Sequence, residues 1–379
     1  MVIPVLNEAD TLGSCLRKVL AVFQEHGIHG EIIVADNGSS DSSKQIAAGM
    51  GARIVDVETK GYGSALMGGI EAASGRFVIM GDADDSYDFL ELYKFVESLR
   101  AGSELVQGCR FPAGGGKIAP GAMPWSHRWI GNPLFSLLVR KWFGAPIHDV
   151  YCGMRGFTKA LYGRLDLRCT GMEFATEMII KAALFGERVS EIPITFHKDG
   201  RVAHPPHLRT MRDGWRTLRF FMLYSPRWLY LVPGCVLIVL GLIGYSLAMP
   251  ATKIFGATLD AHSLLFSSVA ILCGYQSILF ALFTKTFAVS ERIVPEDPRL
   301  KRFYESVNLE TGLLCGTVVF IFGAILLCGA IYQWHQAGYG TLSYAHTMRW
   351  VIPGSTLTAL GFQTVLASFF VSILGMRRK

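Results

Sequence analysis

Charge is scarce in this sequence, and the second half offers almost no polar relief. Asp, Glu, Lys and Arg make up 17% of the 379 residues against 51% apolar, an average over two unlike halves that meet near residue 228. The eight cysteines form no CxxC pair and no Cys/His ligand spacing, which excludes a recognisable structural zinc site and leaves free thiols. No internal repeat or low-complexity tract is present. A cleavable leader is not expected either, since "MVIPVLNEAD" opens directly on a strand and carries acid early.

What is there begins as alternation. Apolar runs such as "EIIVAD", "ARIVDV", "RFVIMGD" and "ELVQGCRF" are separated by helical stretches such as "SSKQIAAGMG" and "FLELYKFVESLRAG". Strands that alternate with helices predict an α/β domain, an open sheet with right-handed crossovers. Ligands of such sheets bind beyond the carboxyl ends of the strands. The stretch "FPAGGGKIAPGAMPW", residues 111–125, is rich in Gly and Pro and reads as a mobile loop or lid over that crevice.

Four apolar stretches follow, about residues 228–249, 262–287, 312–334 and 350–375, each near the 20 residues that cross a bilayer. "VPGCVLIVLGLIGYSLAM" has no polar face, which a buried core helix would keep. Basic residues gather before the first span, around the middle loop and at the C-terminus, so the positive-inside rule puts all three in the cytoplasm. Between the halves, "TMRDGWRTLRFFML" places Trp215, Leu218, Phe221 and Met222 near one helical face and Arg212, Arg216 and Arg219 along another, as in a helix lying in the membrane interface. The expected domains are therefore residues 1–208, an interfacial helix 209–227 and a membrane region 228–379.

Chemistry concentrates in two acidic turns. In "GDADDSYD", Asp82 and Asp84 stand one residue apart at a strand end and can share a hard divalent cation, Mg²⁺ or Mn²⁺. Magnesium usually completes its octahedron with water and phosphate oxygens, which suggests a diphosphate ligand. Helix capping accounts for some of the neighbours Asp85, Ser86 and Asp88, though not for the whole set. In "VADNGSSDSS", turn chemistry explains Asn37 and Gly38 but does not require Asp36. "KGYGSALMGG" lacks the third glycine of a dinucleotide fingerprint and reads as a glycine turn into a helix, with Lys60 available to a phosphate or ribose. Arg110, Arg128, Arg155, Arg201 and Arg209 are the candidate phosphate forks. His197, His204 and His207 lack partners at metal spacing and read as polar or phosphate contacts.

"VIPVLNE", "DNGSSD" and "GDAD", in this order, resemble the nucleotide-sugar half of the family 2 glycosyltransferases with the GT-A fold. "GCRF", "DVYCGMRGF", "MEFATEM" and "EIPITFHKDGR" narrow the resemblance to the polyprenyl-phosphate glycosyltransferases, the group of dolichyl-phosphate mannose and glucose synthases. It covers about residues 2–228 and implies a Rossmann-like GT-A catalytic domain. It implies that Pro4, Asn7 and Glu8 border the nucleotide, that Asp36 contacts the base, and that Asp82 and Asp84 bind metal and diphosphate. Asn37, Lys60 and Arg110 join the expected donor set, and Arg128, Arg155, Arg201 and Arg209 the expected lipid-phosphate set. Family members often carry Gln two residues beyond the second aspartate, where this chain has Ser86; a third protein ligand to the metal is therefore not expected. "SHRWIGN" offers only Arg128 and Trp129 of the processive Gln-x-x-Arg-Trp motif.

The implied reaction is inverting transfer of one hexose from a nucleotide-sugar, UDP-glucose before GDP-mannose, to a polyprenyl phosphate. A phosphate monoester is already largely ionised at neutral pH, so the nucleophile needs positioning more than a base. Asp84, Arg128, Asp149 and Glu177 are the catalytic candidates, with a structural role for Asp149 and Glu177 weighed equally. Partners are the donor, the lipid acceptor and the bilayer, not a nucleic acid; the resemblance also allows a homo-oligomer, and the expected location is a bacterial inner membrane. Two alternatives stay open: a processive polysaccharide synthase, and a lipid translocase or scaffold with an inactive nucleotide domain.

Overall fold

A computed structural model of the chain describes residues 1–201, 210–291, 293–298, 302–303 and 308–375. It divides into two units, Met1–Phe221 and Met222–Lys379.

The first unit is a seven-stranded sheet with helices. In chain order its sheet strands are β1 (Val2–Val5), β2 (Ile33–Asp36), β3 (Arg53–Asp56), β4 (Phe77–Met80), β5 (Leu105–Cys109), β7 (Arg155–Thr158) and β8 (Val189–Pro193), arranged β3-β2-β1-β4-β7-β5-β8. The helices are α1 (Leu12–Glu25), α2 (Ser43–Gly49), α3 (Tyr62–Ala72), α4 (Leu92–Arg100), α5 (Asn132–Phe143), α6 (Lys159–Leu165), α7 (Glu173–Leu184) and α8 (Thr210–Tyr224). Strands β1 to β3 pair in parallel, whereas β7 runs antiparallel between β4 and β5. The apolar runs explain the burial: β2 and β5 are buried throughout, as strands covered on both faces must be. Val19, Leu16 and Leu12 of α1 and Phe89, Leu92 and Phe95 ahead of and within α4 fill the core on one side of the sheet.

Residues 111–125 are less free than their composition suggests. Lys117–Ile118 forms a short strand, β6, alongside β9 (Thr195–Phe196), with Lys117 N donating to Ile194 O at 3.0 Å and Ala119 N to Phe196 O at 2.9 Å. Gly116 permits the turn, because a Cβ there would lie 2.1 Å from the carbonyl oxygen of Cys109. The expected mobile lid is thus tied down at its centre. The expected common face of α8 also divides, for Phe221 is buried while Trp215 is 60% exposed.

Among the described residues the second unit holds four helices long and apolar enough to cross a membrane, Arg227–Ala248, Ala261–Ser290, Leu309–Gln336 and Tyr344–Leu374. They correspond to α9 (Val232–Ala248), α10 (Ala261–Ser290), α11 (Leu309–Gln336) and α12 (Tyr344–Gly375). With no hydrophobic drive between helices in lipid, close backbone approach and hydrogen bonds must hold them. Gly234 and Gly274 bring α9 against α10, and Gly316 and Gly361 bring α11 against α12; a Cβ at Gly361 would lie 2.4 Å from the Phe320 nitrogen. Tyr275 and Thr364 share a hydrogen bond of 2.6 Å between α10 and α12, and Tyr245 reaches Ser268 at 2.6 Å.

Candidate active site

The crevice opens where β1 and β4 part. Chain order reverses there, since β2 and β3 lie to one side of β1 and β4 to the other, which makes it the sheet's switch point. The carbonyls of Met1 and Val5 face β2, so the even residues face β4, and Pro4 has no N–H to give it. Pairing between β1 and β4 accordingly covers only Val2 with Met80, while β1 pairs with β2 over all four residues. Beyond Pro4 the chain turns at Asn7, in the left-handed region at φ 58°. Asn7 Oδ1 accepts from Ser40 N at 2.8 Å, and Glu8 N donates to Ser43 Oγ at 2.9 Å, tying the ends of β1 and β2 together.

The acidic knot after β4 separates into structural and available members. Asp85, in the left-handed region at φ 59°, pairs with Lys18 at 2.8 Å and accepts from Ser14. Asp88 caps the following turn through Leu90 N at 3.1 Å. Asp82 and Asp84 remain. Tyr62 donates to Asp82 Oδ1 at 2.8 Å, and Ser86 donates its hydroxyl to Asp84 Oδ1 at 2.6 Å. Burial, and then the neighbouring charge of Asp84, pushes the Asp82 carboxyl up to about 6. Arg201 spans the switch point: it forks onto Glu8, with Nε at 2.8 Å and Nη2 at 2.8 Å, lies 3.6 Å from Asp84 Oδ2, and pairs with Asp199 at 2.9 Å.

The opposite wall is built on Arg110, one residue beyond β5. Its Nε and Nη2 meet the two oxygens of Asp149 at 2.7 and 2.8 Å. Although burial disfavours its charge, the adjacent Asp149 carboxylate holds the guanidinium firmly protonated. Glu191 supports the segment from β8, accepting from the backbone of His148 at 2.6 Å and of Asp149 at 3.0 Å. Gln107 adds bonds to the carbonyls of Asp149 and Cys152 at 2.9 and 3.0 Å.

Other expected residues have their polar atoms committed. Asp36 folds back on its own turn, accepting from Gly38 N at 2.9 Å and Ser39 N at 3.1 Å, with Lys44 at 3.3 Å. Asn37 brackets two loops, donating to the carbonyls of Val57 and Thr59 and accepting from Gly61 N. Lys60 rests on the Asn37 carbonyl at 2.5 Å. Arg155, expected at a lipid phosphate, is instead fully buried; Nη2 donates to Cys152 O at 2.7 Å, Nη1 to Ala175 O, and Nε has no partner among the described residues. Glu177, a catalytic candidate, is fully buried too; it pairs with Lys181 at 3.0 Å and accepts from Arg168 N and Cys169 N at 3.0 and 2.9 Å. That arrangement shapes the loop whose Thr170 carbonyl accepts from Ser64 N at 3.1 Å. Arg128 lies over the Trp129 ring at 5.4 Å. Arg209, His204 and His207 fall outside the described residues.

Sequence reasoning passed over Tyr62, Gln107 and Glu191. Tyr62 sits inside the glycine-rich turn that drew notice for its glycines, and the other two act on residues about forty positions away, a pairing that no local spacing reveals.

The donor set fits a divalent cation. Asp82 and Asp84 supply hard oxygens, and the rise at Asp82, from burial first and then from the charge of Asp84, is one that a bound cation would offset. Among the described residues no cluster of three or more His, Cys, Asp or Glu forms a metal cage. Two protein ligands with the remainder from substrate phosphates and water are what Mg²⁺ commonly takes.

Comparison with known proteins identifies the family. Residues 1–165 match the family model described as glycosyl transferase family 2, and residues 282–375 match the family 2 C-terminal transmembrane region. A low-salt glycan biosynthesis hexosyltransferase of Haloferax volcanii is 34% identical over 99% of this chain and 88% of its own length. A dolichyl-phosphate hexose transferase of the same organism is 31% identical over 51% of this chain and 79% of its own. Among solved structures, glucosyl-3-phosphoglycerate synthase from Mycobacterium tuberculosis, in complex with Mn²⁺, UDP and glucosyl-3-phosphoglycerate, covers 59% of this chain and 77% of its own at 22% identity and a TM-score of 0.46. Matched by family 2 models over residues 1–165 and 282–375, and 34% identical to a relative along 99% of its length, the chain belongs to glycosyltransferase family 2 and is an integral membrane glycosyltransferase.

Proposed function

We propose that the enzyme transfers a single hexose, with inversion, from a nucleotide-sugar to a polyprenyl phosphate. The observation that carries this reading is the juxtaposition, at one crevice of a membrane-anchored unit, of the paired carboxylates Asp82 and Asp84 and the phosphate-compatible cations Arg201 and Arg110. Two relatives are named as a hexosyltransferase and a dolichyl-phosphate hexose transferase. UDP-glucose is the favoured donor and GDP-mannose the next. The catalytic unit and the C-terminus lie in the cytoplasm, following the distribution of basic residues.

Asp82 and Asp84 would hold Mg²⁺ or Mn²⁺, which as a Lewis acid stabilises charge on a departing diphosphate. Tyr62 orients Asp82 and Ser86 orients Asp84. Pro4, Asn7 and Glu8 frame the nucleotide edge of the switch point, and Asp36, Asn37 and Lys60 set the shape of its base end through their bonds to neighbouring loops. Arg201 balances Glu8 and Asp84 until donor phosphates arrive. On the acceptor side Arg110, fixed by Asp149, and Arg128 offer positive charge to a phosphate monoester; Arg209 belongs to the same proposal.

An ionised phosphate oxygen attacks the anomeric carbon without needing a strong base. Glu177 and Asp149 therefore serve as positioning residues, and Arg155 organises the chain beneath the crevice. The absence of the processive Gln beside Arg128 and Trp129 favours one transfer per acceptor. Mass spectrometry of the lipid product after incubation with donor and polyprenyl phosphate tests this directly: one added hexose supports the reading, whereas a polymer ladder replaces it with a processive synthase.

A further inference from the structure

Arg201 stands where two binding events meet. Its fork onto Glu8 is bidentate, with Nε 2.8 and 3.0 Å from the two carboxylate oxygens and Nη2 2.8 Å from one of them. Nη1 reaches Asp199 at 2.9 Å, and the side chain is only 12% exposed. The segment that carries it is fastened to the loop that carries Asp84: Gly200 N donates to Asp84 O at 3.0 Å, and His197 N to Ser86 O at 2.7 Å. The backbone of Arg201 is thus fixed beside the acidic pair, and its side chain is the part left to respond to a ligand.

The two oxygens of Asp84 are not equivalent. Oδ1 accepts from the Ser86 hydroxyl at 2.6 Å and from Ser86 N at 3.1 Å. Oδ2 is the oxygen left to a cation, and Arg201 Nη2 faces it at 3.6 Å. That is too long for a hydrogen bond but close enough for charge to act, the more so where the surroundings are less polar than water. An arginine stays protonated in a protein, so a divalent cation approaching Oδ2 meets a positive charge already beside it. The same guanidinium serves three carboxylates, Glu8, Asp84 and Asp199. The crevice is therefore short of positive charge as a whole, yet repels a cation at the oxygen that would bind it. A diphosphate removes the conflict. Its oxygens accept the guanidinium fork and also complete the coordination of a metal.

We propose that Arg201 makes cation binding conditional on the nucleotide: in the empty crevice its guanidinium holds divalent cations off Asp84, and a nucleoside diphosphate lifts that block by drawing the fork to its phosphates. Cation and nucleotide then enter as a pair, and each strengthens the other by the same factor, as linkage requires. The inference rests on the assignment of Asp82 and Asp84 to a cation under the proposed function; it is independent of which sugar is carried and which acceptor receives it. It separates Arg201 from a residue that only holds the chain in place. Loss of Arg201 should strengthen metal binding in the empty enzyme, whereas damage to the fold would weaken it.

The test measures Mn²⁺ binding, not transfer. Full-length protein in detergent micelles is titrated with Mn²⁺, with and without UDP, and the free ion is counted from its electron paramagnetic resonance signal. Mn²⁺ held by UDP in protein-free solution is subtracted, and Asp84→Ala supplies the baseline for unspecific ions. Linked sites typically change each other's affinity by about 5–150-fold, and the wild type is expected to gain Mn²⁺ affinity in that range when UDP is present. Without UDP, Arg201→Gln should bind Mn²⁺ about tenfold more tightly than the wild type, and UDP should improve it by a smaller factor. Arg201→Lys, which keeps the charge, should stay as weak as the wild type. A wild type that holds Mn²⁺ equally well with and without UDP overturns the proposal by itself, whatever the variants do. An Arg201→Gln protein with an intact melting transition and no gain in Mn²⁺ affinity overturns it too. Both outcomes leave the cation assignment standing. Mn²⁺ binding that never rises above the Asp84→Ala baseline, even with UDP, removes that assignment and the proposal with it.

Discussion

Arg110 and Asp149 are joined through three nitrogens: the Arg110 side chain meets both carboxylate oxygens at 2.7 and 2.8 Å, and its backbone N–H donates to one of them at 3.1 Å. Both side chains are almost completely shielded, at 7% and 0% exposure. Removing one partner of such a pair leaves a buried charge without compensation, which costs roughly 3–5 kcal/mol. Asp149→Ala is therefore expected to lower the melting temperature of the catalytic unit and to abolish transfer with it. Arg110→Lys keeps the charge but loses the planar fork, and should reduce activity with a smaller thermal shift. Differential scanning of purified protein beside the transfer assay checks both.

Asp84 should fail differently. Its carboxylate is partly exposed and its contacts are Ser86 and, at 3.6 Å, Arg201. Loss of a hydrogen bond at such a site changes stability by only about 1 kcal/mol. Asp84→Ala is expected to remove transfer while leaving the protein folded and membrane-inserted; near-normal activity would contradict a role in holding the cation.

Tyr62→Phe removes the donor that orients Asp82. Outer-shell partners of metal ligands are worth roughly 10–100-fold in metal affinity or activity. Titrating Mn²⁺ into the transfer reaction should give a half-activation concentration raised by about that factor, with maximal velocity approached again at high metal. An unchanged Mn²⁺ curve would argue that the bond is only structural.

Glu177 offers a test with a definite pH sign. Its pKa lies below the ordinary value: burial opposes ionisation, but the backbone N–H of Cys169, the Lys181 ammonium and the Arg168 N–H outweigh it. A carboxylate with a depressed folded pKa contributes stability above its unfolded value, ~4.3, and that contribution fades as pH falls through the folded value. Glu177→Gln should thus lower the melting temperature at neutral pH, by the equivalent of about 3 kcal/mol or more, because the buried Lys181 ammonium loses its counter-charge and keeps only the carbonyl of Asp166. The gap to the wild type should narrow in acid, and Glu177→Leu with Lys181→Met should recover much of the loss. A variant of unchanged stability but reduced turnover would instead return Glu177 to the catalytic candidates.

In the membrane unit, a Cβ at Gly361 would lie 2.4 Å from the Phe320 nitrogen and 2.6 Å from the Gly316 carbonyl oxygen. Both are backbone atoms that no rotamer change can move. Gly361→Leu should force α11 and α12 apart and lower detergent resistance, while the melting of the catalytic unit is unchanged; intact resistance would show that the helices do not depend on this approach.

Much of this architecture was legible in the sequence because the signals are local. Alternating runs foretold β1 to β5, and length with uniform apolarity foretold the four spans. The crevice was legible too, since Asp82 and Asp84 stand at a strand end that any open sheet would present to ligand. Strand β7 was not, for an antiparallel strand inserted between β4 and β5 is decided by pairing partners that lie dozens of residues away. Nor were the roles of Asp149 and Glu177 separable from chemistry, because their partners Arg110 and Lys181 become decisive only after burial. Residues 111–125 misled through composition: Gly and Pro predict a loop, but pairing of Lys117–Ile118 with Thr195–Phe196 fixes it. In α8 the expected single face failed because Phe221 is claimed by Phe135 and Phe143, which no reading of α8 alone contains.

The proposed function turns on cation-dependent transfer of one sugar to a lipid phosphate. Purified protein is incubated with a panel of radiolabelled UDP- and GDP-sugars and undecaprenyl phosphate, with Mg²⁺ or Mn²⁺ and then with EDTA. One lipid-linked sugar from one donor is expected, with UDP-glucose favoured, and it should be lost on chelation. Folded protein that yields no labelled lipid with any donor, or a product that forms equally well in EDTA, would contradict the proposed function.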